Sequence, residues 1–378
     1  MGKNILFIPA PFDGHITGLV EPIKDLISLG HNVTIYLLDK YEPRLKHSGA
    51  KLKLFSYGKI VLSPKAPQMA KHILILCQSY DAILNQAIKS EDKYDYLIVD
   101  SLLDGYELNK IFKIPILISW HTFQYAEISS NLKEFLNRRM RVLTPINKKY
   151  NINIRDFMFI LCEEAKYKLI LTSKLFHVET KLIDDSVYFI GPSIEERPID
   201  TTFNFTKNEN QKLIYISLGT VFCVNKDIFK MFIETFKNLK EFQVIISIGK
   251  IINPKDLGEL PDNIYIYNYV PQLQILKQTD IFITHGGLNS INEGILIKQL
   301  PFIIIPQEFD QFENAKQLEK YEAGIVLDKN NLTNEILKDS VYKIIQNEQK
   351  YKNGVDKIAQ SFKEARKERK QIFEKIFI

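Results

Sequence analysis

Cysteine is scarce in this chain of 378 residues. Cys77, Cys162 and Cys223 lie far apart and form no C-x-x-C pair. That spacing disfavours a disulfide framework and a thiolate zinc site, and it suits reduced thiols in a cytoplasmic protein. Long apolar runs are missing as well: no uncharged stretch approaches the ~18–20 residues of a membrane span. Ile5-Leu6-Phe7-Ile8 is too short for a signal peptide and is soon broken by Pro9 and Pro11. Charge of one sign is not in excess either. A formal net charge of +5 over this length is mild and gives no reason to expect nucleic acid. The basic stretch 363–370 carries interleaved glutamates and reads as a solvated helix face rather than a membrane contact.

What is present is the composition of an ordinary globular protein, 45% hydrophobic and 25% charged. The length exceeds the ~250–300 residues at which single cores stop growing, so two domains are expected. Short apolar segments at 4–9, 32–37, 96–99, 114–119 and 169–172 read as strands, with a helical pattern at 19–29 between the first two. Gly191-Pro192-Ser193 and the polar stretch after it look like a linker. A second series follows at 213–217, 244–248, 264–267, 281–284 and 302–305. Strands alternating with helices predict α/β architecture with parallel sheets. The expected layout is two doubly wound domains facing each other across a cleft. They would span residues 1–192 and 211–355, joined by a linker at 193–210. A C-terminal helix over 356–378 would pack back on the first domain. In such folds ligands sit beyond the carboxyl ends of the strands.

The polar clusters fall at those ends. The strand Ile281-Phe282-Ile283-Thr284 runs into His285-Gly286-Gly287-Leu288-Asn289-Ser290 and a helix bearing Glu293. Two glycines at a strand end let a ligand approach the backbone, and a helix start suits a phosphate. Ser290 and Glu293 also have the S-x-x-E spacing of a capping box, which could serve the helix end alone. Capping does not account for His285, Asn289 or the downstream pair Asp310-Gln311. Ser217-Leu218-Gly219-Thr220 closes another strand with a turn able to offer hydroxyls and N–H groups to phosphate. At Tyr269-Val270-Pro271-Gln272 an aromatic ring could stack on a nucleobase while the Val270 backbone bonds the base edge; a merely buried tyrosine is the alternative. In the first half, His15 follows a strand within Phe12-Asp13-Gly14-His15, where a general base could stand. Asp100 ends a strand of the same domain and could orient that imidazole, with Asp13 and Asp104 as competitors.

With these residues in place the chain resembles the family 1 glycosyltransferases of GT-B fold, the UDP-glycosyltransferase superfamily, and is most similar to the bacterial macrolide- and flavonoid-glycosylating branch. The block from Tyr269 to Gln311 is its most specific part, and 188–193 and 215–220 look like further family landmarks. The resemblance implies His15 as the base that deprotonates an acceptor hydroxyl, with Asp100 as its partner. It implies His285, Ser290, Thr220, the Gly287 turn and the Asn289 backbone around the diphosphate. Glu293 would take the ribose hydroxyls, with Gln272 near them. Tyr269 would stack on uracil, and Asp310 and Gln311 would hold the donor sugar. Two positions depart from the family pattern: many members have tryptophan where Tyr269 stands, and the Asn-Pro that often follows the histidine is missing. Neither departure removes a group the reaction needs.

The implied reaction is inverting transfer of a hexose, glucose first, from a UDP-sugar to a hydroxyl of a small hydrophobic acceptor such as a macrolide, flavonoid or other phenol. No D-x-D carboxylate cluster occurs, so no cofactor and no divalent metal are expected. Phe12, Met69, Ile73, Trp120, Phe123 and the stretch 132–140 are candidates for the acceptor pocket. A UDP-sugar epimerase of the same fold and a non-catalytic nucleotide-binding partner protein are the rival readings.

Overall fold

The computed structural model describes residues 2–57, 68–103, 105–121, 148–149, 151, 165–178, 183–194, 199–219, 226–307 and 310–378, without the side chains of 68–73 and 106. The chain forms two compact units, one of Met1–Glu195 with Phe362–Ile378 and the other of Glu196–Ser361.

Among the described residues the first unit is built on seven strands: β1 (Asn4–Ile8), β2 (Asn32–Leu38), β3 (Lys51–Phe55), β4 (Tyr96–Asp100), β5 (Ile116–Trp120), β6 (Tyr167–Ile170) and β7 (Val187–Phe189). They are parallel throughout, in the order β3-β2-β1-β4-β5-β6-β7. The apolar run of β1 does not alternate, because helices cover both sheet faces; Ile5, Leu6 and Ile8 are fully buried. The helix Val20–Ser28 turns Val20, Pro22, Ile23 and Leu26 inward. Phe373, Ile376 and Phe377, from the end of the chain, complete the same core. Each such side chain contributes about 1.5–3 kcal/mol when fully buried. Cys77 lies in this core too, where burial pushes its thiol up to about 12. The order of strands reverses between β1 and β4, so the chain leaves their carboxyl ends in opposite directions and opens a crevice there.

A buried guanidinium ties the last helix, Glu348–Ile376, to this unit. Arg369 is 1% exposed. Its Nε donates to the Ile190 carbonyl at 2.8 Å, and its terminal nitrogens reach Glu21 at 3.3 Å and Asp25 at 3.4 Å. At Gly191, φ is +70° and a Cβ would stand 2.7 Å from the Arg366 backbone nitrogen, so only glycine lets this turn lie against the helix. Arg369→Ala is expected to lower unfolding free energy by about 2 kcal/mol, since it strands the Ile190 carbonyl and leaves Glu21 with Arg366 alone and Asp25 with Lys370 alone. Urea denaturation followed by circular dichroism measures this.

The second unit carries six parallel strands: β8 (Lys212–Ser217), β9 (Phe242–Ser247), β10 (Ile264–Tyr267), β11 (Ile281–Thr284), β12 (Phe302–Ile304) and β13 (Gly324–Val326). Their order is β10-β9-β8-β11-β12-β13, which reverses between β8 and β11. The helix Leu288–Lys298 crosses this sheet over Phe282 and Phe302. Gly294 allows the approach, since a Cβ there would lie 2.8 Å from the Phe302 ring. Together the two units make the α/β, doubly wound architecture expected from the alternation of strands and helices. Among the described residues no helix is long and apolar enough to cross a membrane.

Candidate active site

In the first unit the crevice at β1 and β4 brings together two residues 85 positions apart in sequence. The short helix Asp13–Thr17 starts directly after β1 and presents His15, while Asp100 is the last residue of β4. His15 Nδ1 lies 2.7 Å from Asp100 Oδ2, and the carboxylate is fully buried. Burial alone would raise this carboxyl, but His15, His121 and the Leu102 amide outweigh it and hold it below the usual range. An ionised carboxylate only accepts, so Nδ1 of His15 carries the proton and its Nε2 presents a lone pair. The other carboxylate oxygen takes the Leu102 N–H at 2.9 Å, which fixes the plane of the group.

In the second unit the reversal at β8 and β11 places two turns side by side. The pairing of Thr284 with Ser217 sets Gly219 next to His285. A Cβ on Gly219 would lie 2.8 Å from the imidazole, and one on Gly287 would lie 2.5 Å from its Nε2, so the ring is fitted between two glycines. Burial draws the His285 imidazole down to about 4, partly offset by the hydrogen bond it donates to the Ser217 backbone, so the ring is neutral at pH 7 and anchored on β8. Gly287 is the N-cap of the helix Leu288–Lys298 and supplies no capping side chain. The amides of the first turn therefore open onto the glycine turn, the place where an anion is held.

The helix start at Leu288 corrects one local reading. Ser290 and Glu293 lie inside the helix rather than at its cap, so they do not form a capping box. One turn apart, both face Gln272. Gln272 Nε2 donates to Glu293 Oε2 at 2.7 Å and lies 3.4 Å from Ser290 Oγ. The Tyr215 hydroxyl donates to Gln272 Oε1 at 3.2 Å, which extends the network to β8. Glu293 is 3% exposed. Asn289 lies on the first turn of the same helix and is half-buried.

Tyr269 stands on a turn after β10 with 62% of its surface exposed, next to the buried Val270. It is not a core tyrosine. The Asn268 side chain donates to the carbonyls of Gly249 and Ile252 at 2.6 and 2.9 Å, which holds this turn. Asp310 and Gln311 open the helix Asp310–Lys320 after β12. Gln311 is buried, and its side-chain oxygen accepts from the Gln307 amide at 2.8 Å. Asn314 joins this loop to the glycine turn: its Nδ2 donates to the Gly286 carbonyl at 2.8 Å and lies 3.3 Å from Asp310 Oδ2.

Of the acceptor candidates, Phe12 is half-buried and caps the helix of His15, its ring edge-on to the imidazole at 6.0 Å. Trp120 ends β5, is 5% exposed and packs with Ile118, Ala165 and Ile170. Phe123 and Thr220 lie outside the described residues, as do the side chains of Met69 and Ile73. The residues that sequence reasoning missed are His121, Asn268 and Asn314. His121 follows β5, so the strand-end rule that singles out His15 applies to it as well; the two asparagines carry no such mark. Among the described residues, the donor atoms of His15, Asp100 and His121 converge to within 4.8 Å. The 2.7 Å between Nδ1 and Oδ2 is a hydrogen-bond length and leaves no room for an ion between them.

Residues 223–369 match the family model for the glycosyltransferase family 28 C-terminal domain. The chain is 29% identical over 386 residues to the uncharacterized UDP-glucosyltransferase YojK of Bacillus subtilis, covering 96% of this chain and 94% of that one. It is 26% identical over 353 residues to the oleandomycin glycosyltransferase of Streptomyces antibioticus, covering 88% and 81%. Its fold superposes on the crystal structure of the glycotransferase of kitacinnamycin with a TM-score of 0.80 at 20% identity, over 99% and 98% of the two chains.

Proposed function

Since the chain belongs to the family 1 glycosyltransferases of GT-B fold, the UDP-glycosyltransferase superfamily, we propose that it moves a hexose, glucose first among the candidates, from a UDP-sugar to a hydroxyl of a small hydrophobic acceptor. The acceptor would be a macrolide, a flavonoid or another phenolic natural product, and neither nucleic acid nor membrane insertion would take part. The 2.7 Å contact between His15 Nδ1 and Asp100 is the observation that carries this reading. It turns Nδ1–H toward the carboxylate, so that Nε2 is the edge that takes an acceptor proton and the carboxylate stands ready to stabilise the imidazolium that results.

The acceptor oxygen is the nucleophile, and no enzyme carboxylate is needed for a covalent intermediate. One displacement at the anomeric carbon inverts its configuration. The departing diphosphate gains negative charge at the glycine turn, where the amides from Leu288 onward supply fixed donors and the His285 imidazole, anchored on the Ser217 backbone, backs the turn. Such donors do the work of a divalent cation, so transfer should run without metal. In this reading Thr220, Asn289 and Ser290 also hold the diphosphate, and Tyr269 stacks on the uracil with the Val270 backbone at the base edge. The buried Glu293, oriented by Gln272, accepts from the ribose hydroxyls. Asp310 and Gln311 hold the sugar, on a loop that Asn314 ties to the phosphate turn. Phe12, Met69, Ile73, Trp120 and Phe123 are the proposed acceptor contacts.

The test is UDP release from UDP-glucose with a panel of phenolic and macrolide acceptors in excess EDTA, with products weighed by mass spectrometry. The expected result is acceptor-dependent UDP and a product heavier by one hexose. Sugar interconversion without acceptor would mean an epimerase, and tight UDP binding without turnover of any donor would mean a non-catalytic protein. Loss of turnover on adding EDTA would overturn the metal-free scheme.

A further inference from the structure

We infer that His121 is a positioning residue for His15, walling one face of its ring and sharing with it the Asp100 oxygen it depends on; the inference rests on reading His15 as the base. His121 immediately follows β5, whose Ser119 pairs with Asp100 on β4, so the sheet register brings its imidazole to the same carboxylate. The His121 side chain is 5% exposed. Its ring centroid lies 4.8 Å from that of His15 at a tilt of 46°, and on its other side a Cβ on Gly18 would come within 3.1 Å of its Nδ1. Gly18 thus leaves the space in which His121 sits, and His121 fills the space into which the His15 ring could turn.

The polar edge of His121 has a specific orientation. Its Nε2 is 3.4 Å from Asp100 Oδ2, the oxygen that His15 uses at 2.7 Å. It has no closer hydrogen-bond partner among the described residues. A lone pair facing an ionised carboxylate would be repelled, so the proton of the neutral ring is on Nε2. Burial keeps that ring neutral, drawing it down to about 3. At 3.4 Å the N–H is beyond ordinary hydrogen-bond length and acts on the oxygen as a dipole. Asp100 therefore divides its field between two imidazoles, and His121 limits how strongly the carboxylate holds a proton on His15. The other charged groups of this turn, Asp13 and Arg44, pair with each other at 2.8 Å.

Two substitutions separate the wall from the dipole. His121→Phe keeps the ring and removes the N–H; His121→Asn keeps an N–H and removes the ring. The readout is the proton NMR titration of His15, whose signal among the seven histidines is the one absent from His15→Ala. In His121→Phe the titration midpoint should rise by about half a pH unit, as the whole carboxylate turns to His15. The rising limb of kcat/KM against pH should move with it, with UDP affinity unchanged. In His121→Asn the midpoint should stay near that of the unsubstituted protein, while kcat falls about tenfold because the base ring is no longer held. Coincident midpoints for His121→Phe and the unsubstituted protein, with full kcat in His121→Asn, would overturn the inference. The NMR midpoint needs no turnover, so the two readings fail separately: an unmoved midpoint removes the part given to His121, and a shifted midpoint in a protein that transfers no sugar removes the reading of His15 as base.

Discussion

Replacing His15 with alanine should lower kcat for transfer to hydroxyl acceptors by about a hundred- to ten-thousand-fold, the range expected when a positioned general base is lost, and leave UDP affinity unchanged. The split follows from where the groups reside. His15, on the short helix after β1, and Asp100, at the end of β4, belong to one unit, whereas the glycine turn, Glu293 and Tyr269 all belong to the other. An alcohol with a pKa well above neutrality is a poor nucleophile until its proton is drawn away, and the described residues around His15 offer no second free base. His121 is neutral but points its proton, not its lone pair, at Asp100, and Asp13 is engaged with Arg44. Asp100→Asn should follow the same pattern with a loss of similar order, because an amide neither stabilises the imidazolium nor enforces the Nδ1–H tautomer. Steady-state rates with isothermal titration of UDP measure both variants. Turnover retained in His15→Ala, or nucleotide affinity lost with turnover kept, would remove the base assignment.

What could be read from the chain, and what could not, separates by how local the cause is. The central strands β1, β4, β8 and β11 are continuous apolar runs because both of their faces are covered, and such runs are visible in sequence. The strands that escaped notice, β3, β7 and β13, all lie at sheet edges. Each pairs on one side only and needs little apolar surface. Lys51-Leu52-Lys53-Leu54-Phe55 alternates lysine with leucine before its final phenylalanine, and β7 and β13 are three residues long. His15, Asp100, His285 and Gly287 were legible because strand ends carry their own punctuation. The pairing of Ser290 and Glu293 was not: their spacing fits a cap equally well, and only the helix start at Leu288 turns both toward Gln272. Asn314 gives no sign in sequence, since its partner Gly286 is 28 residues away.

The donor side should respond most sharply to a single methyl group. Gly287→Ala is expected to weaken UDP binding by about thirty- to a hundredfold, roughly 2–3 kcal/mol at 1.4 kcal/mol per decade, with little loss of fold stability. At Gly287 φ is −63°, a value alanine adopts freely, so the backbone itself carries no strain. The obstacle is the His285 ring, whose Nε2 would lie 2.5 Å from the new Cβ. The ring occupies the notch that the missing Cβ atoms of Gly219 and Gly287 leave open, so a methyl group at Gly287 turns it out of that notch. Displacing His285 disturbs the turn that aims the helix amides. Gly219→Ala should lose affinity for the same reason and stability in addition, since φ there is +80°. Gly258→Ala separates the two effects: its φ is +89° and its ψ −167°, a backbone region kept for glycine, but nothing lies within 4 Å of its Cβ, so it should lose about 1–3 kcal/mol of stability and no affinity. Isothermal titration of UDP beside thermal unfolding of the three variants reads both quantities. Equal UDP affinity in Gly287→Ala and the unsubstituted protein would mean that the diphosphate is held elsewhere than at this turn, because no ligand seated against the His285 imidazole could ignore a methyl group driven into it.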